Sequence, residues 1–160
     1  GTEVVIPNKS FSEKSIFTLG DLEFHVLYLG PAHGPGDTQV WLPQLSLVIA
    51  GDMAFHERML PIFENTCTKC WLETWDEKFA PLNATYVIPG HGHPTNMAQV
   101  TRFTRDYLED LRAKVLEVLD NGGDLAEAFY VDQERWRSLD TFEELAKRNA
   151  GRVFEEMEFE

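Results

Sequence analysis

The sequence predicts one domain of layered α/β or α+β architecture, in which helices cover a sheet. Strand-like apolar runs dominate the first half of the 160-residue chain, and amphipathic helical patterns dominate the second half. The chain is long enough to bury a sizeable core, and it contains no internal repeat or linker-like segment. We therefore assign residues 1–120 to the sheet with its covering helices and residues 121–160 to a helical tail of the same domain.

The N-terminal third of the chain predicts several short strands separated by Gly and Pro. Residues 4–6 and 16–19 are the first two apolar runs. Residues 22–29 are apolar nearly throughout, which is typical of a strand that is buried on both faces. Residues 39–42 and 45–50 predict a hairpin, because only a short Pro-containing connection separates them.

The rest of the chain predicts helices around one further strand. Residues 55–68 show weak periodicity and predict a long surface loop. Residues 70–79 carry large apolar side chains at helical spacing, and residues 85–88 predict a strand. Asn96 can cap the long amphipathic helix that follows, and the Asn-Gly-Gly of residues 121–123 is typical of its end. Shorter helices are expected in the tail.

Charge and composition exclude some classes of function. The formal net charge is −13, from 14 Lys and Arg against 27 Asp and Glu, which argues against a nucleic-acid partner. No apolar run reaches the roughly 20 residues that a membrane-spanning helix needs, and no signal-peptide pattern is visible. We expect a soluble protein, and its compartment, cytoplasmic or periplasmic, stays open because the two Cys do not settle the redox environment.

Three apolar runs share one pattern: each is followed by a Gly or Pro and then by a possible metal ligand. These ligands are His33, Asp52 and His91. If the strands lie side by side, the three side chains meet at one edge of the sheet. Imidazole and carboxylate groups are typical ligands of zinc, iron and manganese. The spacing matches no local metal motif, so by this pattern alone each residue could equally be an ordinary loop or turn residue.

The segments around these residues resemble a known family. Residues 30–38 (GPAHGPGDT), 50–52 (AGD) and 87–92 (VIPGHG) resemble the later motifs of the metallo-β-lactamase fold superfamily, in the same order. The resemblance covers roughly residues 14–120. The helical tail is similar to that of the glyoxalase II-like subgroup of metallo-hydrolases.

The resemblance implies a fold and a set of site residues. The chain would be the C-terminal half of an αββα sandwich, a mostly antiparallel sheet covered by helices, and its parent would hold two metal ions. His33 would complete the site of the first metal, His91 would bind the second, and Asp52 would bridge both and take part in catalysis. Zinc is the expected metal, and iron or manganese is the alternative.

The resemblance also implies an activity. The superfamily hydrolyses small ester, thioester or lactam-like substrates through a metal-bound hydroxide. Asp52 stands where the best-known zinc β-lactamases carry Cys, which favours an ester or thioester over a drug. An iron-dependent sulfur dioxygenase of the same fold has similar ligands and is a further alternative.

The chain departs from the family pattern in one respect. The superfamily's earlier motif, His-x-His-x-Asp-His, is absent, and the only His before His33 is His25, inside an apolar run. We therefore expect poor metal binding and no catalysis from this chain alone, with either the missing N-terminal half or a second copy covering an exposed sheet face. A non-catalytic binding or oligomerising module is the alternative to an enzyme.

Other polar residues near these motifs are weaker candidates for site residues. Asp37 could orient a metal-bound His, His56 could face the substrate, and His93 could act near the metal, although each fits an ordinary loop as well. Cys67 and Cys70 form a lone Cys-x-x-Cys, for which a zinc knuckle or a redox pair is possible and a pair of loop thiols is the simpler interpretation.

Overall fold

The computed structural model describes residues 1–160 and contains one five-stranded sheet. The strands lie in chain order, and every neighbouring pair is antiparallel except β4 and β5, which are parallel. This arrangement confirms the prediction of a mostly antiparallel sheet covered by helices. The strands are β1 (Lys14–Leu19), β2 (Leu22–Leu27), β3 (Gln39–Leu42), β4 (Leu47–Phe55) and β5 (Tyr86–His91).

Five α-helices follow or interrupt the strands. Asn96 caps α2 as predicted, because its Oδ1 accepts a hydrogen bond from Gln99 N at 3.1 Å. None of the helices combines the length and apolarity that crossing a membrane requires. They are α1 (Thr68–Thr74), α2 (Met97–Val100), α3 (Asp106–Asp120), α4 (Leu125–Ala128) and α5 (Phe142–Met157). A π-helical turn, Trp75–Phe79, extends α1, and another, Thr101–Arg105, joins α2 to α3.

The core lies on one side of the sheet. Val48, Ala50 and Val87 are fully buried there against the helices, and α5 contributes Val153 and Phe154 to the same core. No residue of β1 or β2 belongs to this core. The helices therefore cover the β3–β5 end of the sheet and leave the β1–β2 end without a layer above it.

The predicted double-sided burial of residues 22–29 is wrong for this reason. In β2 only Leu27 is buried, and β1 is exposed along its whole length. The predicted strand at residues 4–6 is also wrong. Val4, for example, is 93% exposed, because no neighbouring strand supplies the hydrogen bonds and apolar contacts that a strand needs.

The predicted surface loop at residues 55–68 is a buried segment over part of its length. Met59, Leu60 and Ile62 are at most 1% exposed, although the segment has no regular structure. Asn149 of α5 supplies the missing hydrogen bonds, since its Oδ1 accepts from Ile62 N at 2.9 Å and its Nδ2 donates to Leu60 O at 2.7 Å.

The β3–β4 hairpin is confirmed, but β4 is longer than predicted. A 3-10 turn at Pro43–Leu45 connects the strands, and β4 continues past Ala50 to Phe55. Its pairing with β5 is irregular on both sides of Gly51. Asp52 therefore lies inside a distorted strand rather than just beyond the end of a regular one.

Candidate metal centre

The position of Asp52 depends on two glycines. Gly51 has φ +55°, in the left-handed region that favours glycine. Gly90 of β5 lies beside Asp52, and a Cβ there would overlap Asp52 Oδ1 and the backbone of Gly51. The irregular strand pairing and the missing side chain at position 90 together leave room for the Asp52 carboxylate at this edge of the sheet.

The Asp52 carboxylate lies between two imidazole rings. His33 Nδ1 is 3.8 Å from Asp52 Oδ2, and His91 Nε2 is 3.7 Å from Asp52 Oδ1. These distances are longer than hydrogen bonds, so each carboxylate oxygen faces a different histidine without bonding to it. The structure thus brings together the three residues that follow the sequence pattern.

The imidazole of His33 is enclosed by aromatic side chains. Its ring centroid lies 5.2 to 5.8 Å from those of Phe55, Phe63 and Trp71, and its side chain is 15% exposed. Thr66 Oγ1 donates to the His33 carbonyl at 2.7 Å, which holds the backbone as well. The Nε2 atom of His33 is buried and has no hydrogen-bond partner. A buried nitrogen without a hydrogen-bond partner is unusual in a folded protein.

His91 is the more accessible of the two histidines. Its ring stacks on Phe55, with centroids 5.1 Å apart, and its side chain is 40% exposed. Phe55 is itself fixed by Thr104, whose Oγ1 accepts from Phe55 N at 2.8 Å and donates to Phe55 O at 3.1 Å. Thr104 lies in the π-helical turn before α3, a type of irregularity that is frequent at functional sites.

The structure does not bring Asp37, His56 or His93 to the Asp52 carboxylate. Asp37 Oδ2 accepts from Gly34 N at 2.7 Å, so it stabilises the turn after His33. His56 Nδ1 lies 2.9 Å from the carbonyl of His93, and its ring packs on Phe103.

His93 belongs to a separate pair with Glu57, a residue that the sequence did not single out. His93 Nδ1 is 2.6 Å from Glu57 Oε2. This hydrogen bond lowers the pKa of Glu57 and raises the pKa of His93, although neither side chain is buried. Glu57 has φ +61°, a backbone conformation that no sequence pattern here predicts.

The two cysteines do not form a metal site. Cys67 and Cys70 are joined in a disulfide at the start of α1, so they are oxidised and are neither free thiols nor zinc ligands. The intervening residues form the first turn of a helix, which brings the two sulfur atoms within bonding distance. Cys67 Sγ also accepts from Cys70 N at 3.1 Å, which caps α1.

The residues present do not amount to a complete metal site. No group of three or more His, Cys, Asp or Glu side chains is arranged to hold a metal ion. His33, Asp52 and His91 are adjacent, but His33 faces Asp52 through Nδ1 while its free Nε2 lies on another side of the ring. The chemistry of the donors suits zinc, whereas their number and arrangement do not close a site.

Comparison with known proteins shows which fold this is. No protein-family model matches the chain. A type 2 metallo-β-lactamase of Bacteroides fragilis is 28% identical over 90 residues, which are 54% of this chain and 36% of that protein. A metallo-β-lactamase of Pontibacter korlensis superposes with a TM-score of 0.54 at 20% identity, over 59% of this chain and 46% of that one.

The chain has the metallo-β-lactamase fold. The inverting sec-alkylsulfatase Pisa1 of Pseudomonas sp. shares it, with a TM-score of 0.69 at 20% identity over 95% of this chain and 27% of that one. The chain therefore spans about a third of the length of its curated relative and about a quarter of the sulfatase. The likeness to the sulfatase extends across nearly the whole chain, whereas the likeness to the Pontibacter lactamase covers little more than half.

Proposed function

We propose that this chain is part of a metal-dependent hydrolase and that His33, Asp52 and His91 are ligands of its metal centre. The observation that carries the proposal is the Asp52 carboxylate, with a different imidazole facing each of its two oxygens. Gly90 supports it, because any side chain there would displace the carboxylate. Imidazole nitrogen and carboxylate oxygen are the donors that zinc takes in catalytic sites, and iron and manganese are the alternatives.

Each of the three residues has a distinct part in this proposal. His33 is held rigidly by its aromatic neighbours and offers a buried nitrogen that lacks a partner. His91 is accessible and reaches the solvent side of the centre. Asp52 lies between them and places its two carboxylate oxygens next to both rings, which favours the binding of a cation at this edge of the sheet.

The substrate class is a small ester, thioester or lactam-like molecule. We include alkyl sulfate esters among the candidate substrates, because the fold shared with the sulfatase includes nearly all of this chain. The net charge of −13 disfavours large polyanions as substrates.

The centre needs further ligands, which we expect from a segment that carries the His-x-His-x-Asp-His motif. Three donors shared between two metals cannot close either coordination shell, so binding by this chain alone should be weak. A non-catalytic module is the second candidate, and the lack of a closed ligand group favours it.

Cobalt titration tests the ligand assignment, because Co²⁺ substitutes for zinc and its visible absorption reports the ligands. We expect the chain to bind Co²⁺ with a dissociation constant weaker than about 1 µM. Asp52→Ala, His33→Ala and His91→Ala should each weaken binding by more than the roughly tenfold that an outer-shell change costs. His25→Ala is the control, since His25 lies on β2 beside Glu23 and away from the centre. An Asp52→Ala chain that binds Co²⁺ as the unsubstituted chain does would refute the assignment.

Hydrolysis assays then distinguish the hypothesis of an enzyme from that of a non-catalytic module. We expect no turnover of p-nitrophenyl acetate, a thioester or an alkyl sulfate by this chain with zinc. A gene product extended upstream to include His-x-His-x-Asp-His should hydrolyse at least one of them, and Asp52→Asn should abolish that activity. An extended protein that binds zinc without turnover would favour the non-catalytic module.

A further inference from the structure

The disulfide between Cys67 and Cys70 joins two residues of one helical turn. Only Thr68 and Lys69 lie between them, and Glu156 of α5 holds both, because its carboxylate accepts from Thr68 Oγ1 at 2.5 Å and from Lys69 N at 3.2 Å. A disulfide stabilises a fold mainly by closing a long loop of the unfolded chain, whereas the sequence separation here is 3. Stabilisation alone therefore explains little about this disulfide.

The residue before the disulfide positions the backbone of His33. Thr66 directly precedes Cys67, and its Oγ1 donates to the His33 carbonyl at 2.7 Å. The same hydroxyl oxygen accepts from Phe63 N at 3.1 Å, and the Phe63 ring packs edge-on against the His33 imidazole. A change at Cys67 is therefore passed to His33 through one neighbouring residue.

The residue after the disulfide positions the other side of the candidate metal centre. Trp71 directly follows Cys70, and its ring centroid is 5.7 Å from that of His33. Its Nε1 donates at 3.0 Å to the carbonyl of Met53, the residue after Asp52. The disulfide thus joins the two segments that hold His33 and the backbone beside Asp52.

The Cys67 sulfur is the accessible end of the disulfide. Cys67 lines a surface pocket of about 560 Å³, together with Phe63, Arg152 and Phe159 among others, and Cys70 does not line it. A pocket of this size admits a small molecule. Cys67 Sγ also accepts from Cys70 N at 3.1 Å, and this hydrogen bond stabilises a thiolate on Cys67 when the disulfide opens.

We propose that Cys67 and Cys70 form a thiol–disulfide exchange site whose reduction loosens the packing around His33. The reductant is a small thiol, used in two equivalents. The first thiolate attacks Cys67 Sγ, the S–S bond breaks, and Cys70 leaves as a thiolate that takes up a proton.

The second equivalent completes the reduction. Its thiolate attacks the reductant's own sulfur in the mixed disulfide, so Cys67 leaves as a thiolate and takes up a proton in turn. The reductant is oxidised to its disulfide, and the chain gains two electrons and two protons. Glu156 still holds the turn between the cysteines, so the change stays local and reversible. The exchange does not rest on the proposed metal centre, and its test needs no metal ion.

Equilibration of the chain in a glutathione buffer of cytosolic poise, followed by alkylation and mass spectrometry, tests the exchange. We expect at least about half of the chain as the dithiol, whereas a purely structural disulfide stays oxidised under these conditions. A chain that remains oxidised would overturn the proposal.

Two matched variants test which sulfur is attacked. Cys70→Ser leaves Cys67 as the single thiol, and Cys67→Ser leaves Cys70. With a neutral dipyridyl disulfide, we expect the Cys67 thiol to react about tenfold faster, because it lines the pocket and receives the Cys70 N–H. Equal rates, or a faster Cys70, would contradict attack at Cys67.

Imidazole NMR signals measure the effect on His33. We expect the His33 signals to shift on reduction, while those of His25, which lies on β2 beside Glu23, stay in place. The double variant Cys67→Ser, Cys70→Ser should show the reduced position of His33 and no response to thiols. Circular dichroism should be the same before and after reduction. Unmoved His33 signals, equal shifts at His25, or a loss of helical signal on reduction would each overturn the proposal.

Discussion

The two faces of the sheet have similar apolar residues in β4 and β5 but opposite surroundings. Val48 and Ala50 face the helices and are fully buried, whereas Ile49, which lies between them, is 40% exposed. The same alternation recurs in β5, where Val87 is buried and Ile88 is exposed. Alternation in sequence therefore tells which residues share a face, but burial depends on whether a second layer lies over that face.

The candidate metal centre lies at the boundary between the helix-covered part of the sheet and its exposed part. His33 is fixed from the covered side, where Trp71 and Phe63 enclose it. His91 lies toward solvent, and the Phe55 ring between the two histidines touches both. One side of the centre is enclosed by aromatic side chains, and the other side is open to solvent.

We expect the largest difference between the two faces when one large side chain on each face is truncated to Ala and the free energies of unfolding are compared. Trp71 is fully buried, and its Nε1 donates to Met53 O at 3.0 Å, so Trp71→Ala should lower the free energy of unfolding by about 4 kcal/mol. Ile49→Ala, on the face of the sheet that no helix covers, should cost about 1 kcal/mol or less. Urea denaturation of both variants measures the difference. Equal losses would mean that the face of the sheet away from the helices is as fully packed as the core.

A smaller loss is expected from the polar bond that holds the buried segment to α5. Asn149→Ala leaves Ile62 N and Leu60 O buried without partners, which should cost about 3 kcal/mol. Asn121→Ala is the control, because the Asn121 side chain is exposed at the end of α3 and should cost less than about 0.5 kcal/mol. Denaturation midpoints compare the two, and a similar midpoint for both would show that the segment is not anchored as described.

The sequence predicted much of the fold because local patterns determine strands, turns and caps. The hairpin between β3 and β4, the strand before His91 and the Asn96 cap all follow from residue types within a few positions. The expectation that His33, Asp52 and His91 converge also held geometrically, because each follows or interrupts a strand of one sheet. Their role as metal ligands stays a prediction.

The predictions that failed concern residues whose packing partners are distant in sequence or absent from the chain. Asn149 stabilises Leu60 and Ile62 from almost 90 residues away, so no local pattern distinguishes that buried segment from a surface loop. The run at β2 looks fully buried because it is apolar, but no helix of this chain covers it. Similarly, no local pattern in β5 shows that Gly90 makes room for Asp52.

Anomalous scattering from crystals of the chain grown with zinc tests the central claim most directly. We expect a zinc peak within about 2.0 to 2.2 Å of an Asp52 carboxylate oxygen and of an imidazole nitrogen of His33 or His91. Partial occupancy is expected, because the remaining ligands would be water. Zinc at the Glu57–His93 pair with none beside Asp52 would show that this edge of the sheet is not a metal centre.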